Sequence, residues 1–216
     1  WVGATNNTNM LYVGKWGNDS NDGKTVNDAK LTVGSAITAA TSADTILVFP
    51  GEYIEAGEAI LNLPNGVRLI GVDLDKTIIS QTFTSNGASL NPKSVIKPQG
   101  TNYIANLTIN DNSALTITYT DAISFSVENN NVTIEHCNLS GVYDGIFGVE
   151  AVKYTAKIID SKVTSVYDAV ASYGDQGSVI DVYNSRLEAT GGISTKNTRA
   201  VAVALGSTGT GTAPLI

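Results

Sequence analysis

Three segments of this chain superimpose without a gap: Ile134-Glu135-His136-Cys137-Asn138-Leu139, Ile158-Ile159-Asp160-Ser161-Lys162-Val163 and Val182-Tyr183-Asn184-Ser185-Arg186-Leu187. They are spaced 24 residues apart. The match continues downstream, where Val142-Tyr143-Asp144-Gly145 answers Val166-Tyr167-Asp168-Ala169. A fixed period of this length is the mark of a solenoid, in which each repeat buries its apolar face only against its neighbours. The repeats are too short and too β-branched for helices, and polar and apolar residues alternate around Leu139 and Val163. They are therefore strands. Position 136/160/184 carries His, Asp and Asn, the non-glycine residues that best tolerate a positive φ. That column marks a tight bend between two strands of one coil. The next column, Cys137, Ser161 and Ser185, is small enough to face inward at a corner. The fold expected is all-β, a right-handed parallel β-helix with coils stacked about 4.8 Å apart.

Composition bounds the rest. The 216 residues suffice for one elongated domain, and only 15% are charged against about 25% in an average domain. Stacked coils favour this, because like charges one period apart would lie in register and repel. The net charge of −7 with 13 basic residues argues against a nucleic-acid partner. No apolar run approaches the roughly 18 residues of a membrane span. The single Cys137 can form no internal disulfide and is expected to be an inert corner residue. The chain begins at Trp1 without Met or signal peptide, as expected of a processed chain or a piece of a longer one.

Residues 1–10 are expected to form an arm or linker, 11–205 the β-helix, and 206–216 a flexible tail or the start of a further coil. Thr32 is a plausible N-cap for a short helix near 32–41, with Val33, Ala36, Ile37 and Ala40 on one face. Asp44 to Tyr53 is a buried strand closed by Pro50-Gly51. Phe83–Pro92 is expected to project as a loop. Residues 110–127 are expected to be an insertion, either an extra hairpin or a lengthened coil. No C-terminal cap is visible, so further chain or a partner is expected to cover that end.

The opening resembles a known family. Tyr12-Val13, then Gly17-Asn18-Asp19-Ser20-Asn21-Asp22-Gly23, a short helix, and Asp44-Thr45-Ile46-Leu47-Val48-Phe49-Pro50-Gly51-Glu52-Tyr53 is similar to the start of pectate-lyase-like β-helix proteins. Asn65-Gly66-Val67-Arg68-Leu69-Ile70-Gly71 continues the likeness, which covers most of residues 11–190. That superfamily includes secreted polysaccharide lyases, surface proteins and phage tailspikes. The resemblance implies a helix plugging the N-terminal end of the solenoid; enzymes and non-enzymes share this opening.

Candidate chemistry is sparse. Asp144 and Asp168, one period apart, are expected about 5 Å from each other in adjacent coils, where paired carboxylates can perturb each other's pKa, bind a cation or serve a glycosidase. Tyr143 and Tyr167 would stack beside them as a strip for sugars. These four are the candidate ligand-binding residues; ordinary turn chemistry is the competing explanation of both aspartates. Asn18-x-Ser20-x-Asp22-Gly23 looks like a calcium loop, but its twelfth position is Ala29 rather than the bidentate Glu such a loop needs. No cofactor is expected, calcium at this loop being the one alternative. His136 beside Asp160 suggests a catalytic pair, yet the column continues to Asn184 and so marks a bend. The mechanism implied by the resemblance needs an acidic cluster holding calcium and a basic side chain. Arg68, Arg186 and Arg199 are the only arginines, and no acidic trio shares the face of Lys162 and Arg186. No catalytic residue is assigned. The expectation is a non-enzymatic structural or carbohydrate-binding module of an extracellular assembly, best fitting a phage virion appendage. Its partners would be cell-surface polysaccharide or other virion proteins, and a homotrimer is expected by likeness to tailspikes. The alternatives are a polysaccharide lyase or glycoside hydrolase, and a bacterial surface adhesin.

Overall fold

The computed structural model describes residues 9–55, 57–150, 152–173, 178–191 and 199–203, the last five as backbone only. The arm through residue 8 and the tail 206–216 lie outside the described residues, as does any C-terminal cap.

The chain enters through β1 (Met10–Val13) and α1 (Val33–Ala39), then winds six coils of three strands each. The first two coils are β2 (Thr45–Val48), β3 (Gly51–Ile54) and β4 (Leu61–Leu63), then β5 (Arg68–Gly71), β6 (Thr77–Gln81) and β7 (Lys93–Pro98). The third holds β8 (Thr101–Ala105), β9 (Thr108–Asp111) and β10 (Thr120–Phe125), and the fourth β11 (Asn130–Glu135), β12 (Asn138–Gly141) and β13 (Asp144–Gly148). The last two are β14 (Tyr154–Ile159), β15 (Lys162–Ser165) and β16 (Asp168–Ser172), then β17 (Val179–Tyr183), β18 (Arg186–Ala189) and β19 (Arg199–Val203). Like-placed strands of successive coils pair in parallel, giving one seven-stranded and two six-stranded sheets. This is the right-handed parallel β-helix expected from the repeat.

The 24-residue register is kept strand by strand. Ile134 pairs with Ile158, which pairs with Val182, and Leu139 pairs with Val163, which pairs with Leu187. The bend between the first and second sheets rests on the anticipated column. His136, Asp160 and Asn184 have φ of 50°, 47° and 43°, and Asn106 joins them at 55°. Asn184 Nδ2 donates to Asp160 Oδ1 at 2.6 Å, tying one bend to the next. One residue on, the side chains turn inward and close a second ladder. The Cys137 N–H donates to Ser161 Oγ and the Ser161 N–H to Ser185 Oγ, each at 3.0 Å. Burial pushes the Cys137 thiol up to about 12, so it is an inert corner residue.

Inside the sheets, isoleucines and leucines stack coil on coil. Ile134 is fully buried between Ile104 and Ile158. Ile134→Ala should cost about 3 kcal/mol, because neighbours on both sides are fixed by ladder hydrogen bonds and cannot close the void; chemical denaturation against the parent measures it. At the N-terminal end Thr32 caps α1, accepting from the Ser35 N–H at 3.2 Å. The buried face of α1, Val33, Ala36 and Ile37, joins the core and packs against β1, β2 and β4.

Residues 110–127 contain no added hairpin. They hold the end of β9, a connection through Tyr119, and β10, a regular strand of the third sheet. Leu115 to Tyr119, strand-like in sequence, forms a turn in which the Ile117 N–H donates to Ala114 O. The loop 83–92 carries a short Ala88–Asn91 bridge and an exposed Leu90, and Glu58 pins its base by accepting from Thr84, Ser85 and Lys93.

Candidate functional site

The third sheet differs from the other two. In the first two sheets buried residues mostly alternate with more accessible ones, as in β2, β5, β11 and β15, whereas β10 and β13 are buried at every position. Their alternation also breaks near the start. Ala122 and Ile123, adjacent in sequence, both belong to the core, as do Ala169 and Val170 and Val95 and Ile96. Gly145 occupies the same column: a Cβ there would fall 2.4 Å from Val163 Cγ1, inside the coil. Two successive inward residues make a kink. The residues just before it, Asp121, Asp144 and Asp168, are thereby set on the outer side.

These three aspartates form one column, Asp121 pairing with Asp144 and Asp144 with Asp168. The structure thus brings Asp144 and Asp168 together in register, and the Asp168 N–H donates to Asp144 Oδ1 at 3.2 Å. Tyr143 and Tyr167 stack beside them with centroids 4.5 Å apart, and Tyr119 extends the ladder at 5.0 Å from Tyr143. Phe147 and Tyr173, 5.6 Å apart, continue the aromatic surface. Burial and the neighbouring Tyr119, Asp144, Tyr167 and Tyr173 all push the Tyr143 hydroxyl up.

Asp121 is the residue that the sequence reading missed. It is completely buried, and neither carboxyl oxygen makes a hydrogen bond. The Asp144 backbone N–H approaches it without completing one. Burial first, then the charges of Asp144 and Asp111, hold its pKa well above the carboxyl range. Lys97, itself buried and donating to Asn91 Oδ1 at 3.1 Å, is the weakest influence on it. Asp111 sits at the preceding corner, where it accepts from the backbone N–H groups of Ser113 and Val142. Accessibility rises along the column: Asp121 is sealed, Asp144 is 1% exposed and Asp168 is half-buried.

A second stack of like charges shows how unusual this is. Lys162 and Arg186 are also in register, but Glu188 bridges both. Asp121 has no such counterion. Stacked carboxylates held in a low-dielectric site run against the general avoidance of like charges in register.

The other candidates are tied into the scaffold. In the calcium-like loop, Asn18 Oδ1 accepts from the Ser20 N–H and hydroxyl. Asp22 Oδ1 accepts from the Lys24 N–H, and Asp19 from the N–H groups of Leu31 and Thr32. Among the described residues no group of three or more His, Cys, Asp or Glu is arranged to hold a metal ion. His136 and Asp160 serve the bend column.

No family model matches the chain, and no curated protein matches it. Solved structures do. Pectin methylesterase PemA from Erwinia chrysanthemi aligns with a TM-score of 0.58 at 16% identity, over 83% of this chain and 56% of that one. A pectin methylesterase mutant in complex with a hexasaccharide aligns with a TM-score of 0.60 at 16% identity, over 91% of this chain and 60% of that one. A second hexasaccharide complex of a pectin methylesterase gives the same TM-score and coverage. The fold is therefore that of the pectate-lyase-like β-helices, and the chain spans somewhat over half the length of these structures. The neighbours overturn the expectation of a non-enzymatic phage module, since they are named as enzymes acting on pectin. The low charge follows from coil stacking in any such solenoid and does not favour a virion role. Asp121 escaped the repeat alignment because it lies outside the 24-residue register.

Proposed function

We propose that this chain is the β-helix of a carbohydrate-active hydrolase, acting on an extracellular polysaccharide of the pectic class through Asp121 and Asp144. The observation that carries this reading is the sealed Asp121 carboxyl one strand away from Asp144. Two carboxyls at that spacing, about 5 Å, do not both ionise in a dry site. Asp121 keeps the proton, and the pair behaves as one acid and one carboxylate. That is the division of labour hydrolysis needs: Asp121 donates to the leaving oxygen, while Asp144 attacks or activates water. Tyr167, part-exposed at the end of the tyrosine ladder, offers an aromatic surface to a sugar ring, and Asp168, at the more open end of the column, is the carboxylate a polymer meets first. Asp121 and Asp144 are almost wholly buried, so the reacting bond reaches them only when the surrounding side chains move. The net charge of −7 and the aspartate column repel a fully ionised polyuronate, so an esterified, uncharged stretch is the better substrate.

The test is incubation with highly esterified pectin, following methanol, new reducing ends and unsaturated ends in parallel. Methanol or reducing ends are expected, falling at least about 100-fold in Asp144→Asn. Unsaturated ends alone would show elimination instead of hydrolysis, and no product at all would equally overturn the reading.

A further inference from the structure

Trp16 lies just after β1, on the opposite side of the second sheet from the aspartate column and three strand spacings, about 14 Å, away along the axis. It is 54% exposed, yet its indole is held on three sides. Nε1 donates to Val26 O at 3.0 Å. Phe49 meets the ring edge-on with centroids 5.0 Å apart, and Tyr12 backs Phe49 at 6.5 Å. Under the six-membered ring lies Gly14, where a Cβ would fall 2.7 to 2.8 Å from three indole carbons. The indole is thus seated on bare backbone at Gly14 and still leaves about half of its surface to solvent.

The surroundings say what fits that face. Lys15 is drawn away, donating to Glu52 O at 2.9 Å and lying over the Tyr53 ring. The following loop brings exposed Asn18, Asp19 and Ser20. The exposed apolar surface is small, the indole with Val26 beside it, and its rim is polar. A protein partner needs roughly 800 Å² per side with an apolar centre, far more than one indole offers. A pyranose ring needs only a flat apolar face and polar groups at its edge.

We propose that Trp16 is a saccharide-stacking platform, a second binding site for a neutral sugar ring, separate from the aspartate column. A ring already fixed by Val26, Phe49 and Gly14 loses little freedom on binding, which is what makes a single stacked sugar worthwhile. Its weak grip gains from linkage, because a polymer held here is kept near the rest of the solenoid. The ligand class rests on the polysaccharide reading above, but the platform uses none of its carboxylates.

The experiment uses the full chain carrying Trp1→Phe and Asp144→Asn, so that Trp16 is the sole indole and turnover is suppressed. Esterified galacturonate hexamer and a neutral glucose hexamer are titrated against indole fluorescence and in a calorimeter. Saturable perturbation of the emission by at least one is expected, with affinity falling roughly tenfold in Trp16→Ala. Gly14→Ala, which retains the indole but lifts it off its seat, is expected to weaken binding too. Unchanged emission with both sugars, or equal calorimetric affinity with and without Trp16, would overturn the proposal. Binding at Trp16 in a chain that hydrolyses no pectin would leave this site standing and sink only the hydrolase reading.

Discussion

Asp121→Asn is expected to make the protein more stable at neutral pH and to remove its hydrolytic activity. Asp121 is fully buried without a hydrogen bond, and its native pKa lies well above the ordinary carboxyl value of 3.8. The native state therefore binds a proton that the unfolded chain releases. Stability from this group is fully present below the unfolded pKa and falls as pH rises from about 3.8 through the raised native value. Asparagine is nearly isosteric and cannot ionise, so the variant escapes that fall. Thermal midpoints measured from pH 4 to pH 8 should converge for parent and variant at the acid end and separate, in the variant's favour, toward pH 8. Hydrolysis should drop at least about 100-fold, the usual worth of a positioned acid. Opposite signs for stability and activity are the signature of a residue kept for chemistry. A variant less stable than the parent at pH 8 would show that Asp121 is a structural carboxylate with a partner.

Gly141→Ala is expected to be the most damaging single-methyl addition. Gly141 closes β12, and a Cβ there would fall 1.7 Å from the Asp144 carbonyl oxygen and 2.5 Å from its carbon. Both are backbone atoms, so no rotamer change relieves the clash. The corner between the second and third sheets has to open, and Asp144 moves with it. A cost of about 3 kcal/mol, at the upper end for overpacking, is expected in urea denaturation. Hydrolysis should fall with it even where the variant remains folded. A denaturation midpoint equal to the parent's would contradict the account of this corner.

Much of this architecture was legible because the coil period is strict where the sequence repeats. The column His136, Asp160, Asn184 identified the bend before any coordinates, and the tyrosine ladder followed from Tyr143 and Tyr167 being one period apart. Thr32 announced its helix by capping chemistry alone. Asp121 stayed hidden for a local reason. Tyr143 and Tyr167 are each followed directly by Asp, but Thr120 intervenes between Tyr119 and Asp121, so the spacing to Asp144 is 23 rather than 24. Tyr119 takes a φ of 55°, a bend unusual for an aromatic residue, and the corner absorbs the extra residue there. The register shift removed the third aspartate from the alignment, and with it the buried carboxyl on which the proposed site rests. Burial of the outer face of the third sheet was equally unreadable. It depends on the kink at Ala122, Gly145 and Ala169, where a small residue precedes a branched one, and that pattern has a plainer meaning in an ordinary strand.

The claim beneath the functional proposal is that one carboxyl of the column holds a proton at neutral pH while its neighbour does not. Carbon-13 NMR of protein labelled at the aspartate carboxyls, titrated through the acid and neutral range, measures this directly. The account predicts one resonance titrating well above the ordinary carboxyl range and absent from Asp121→Asn. Every aspartate titrating in the ordinary range would contradict it.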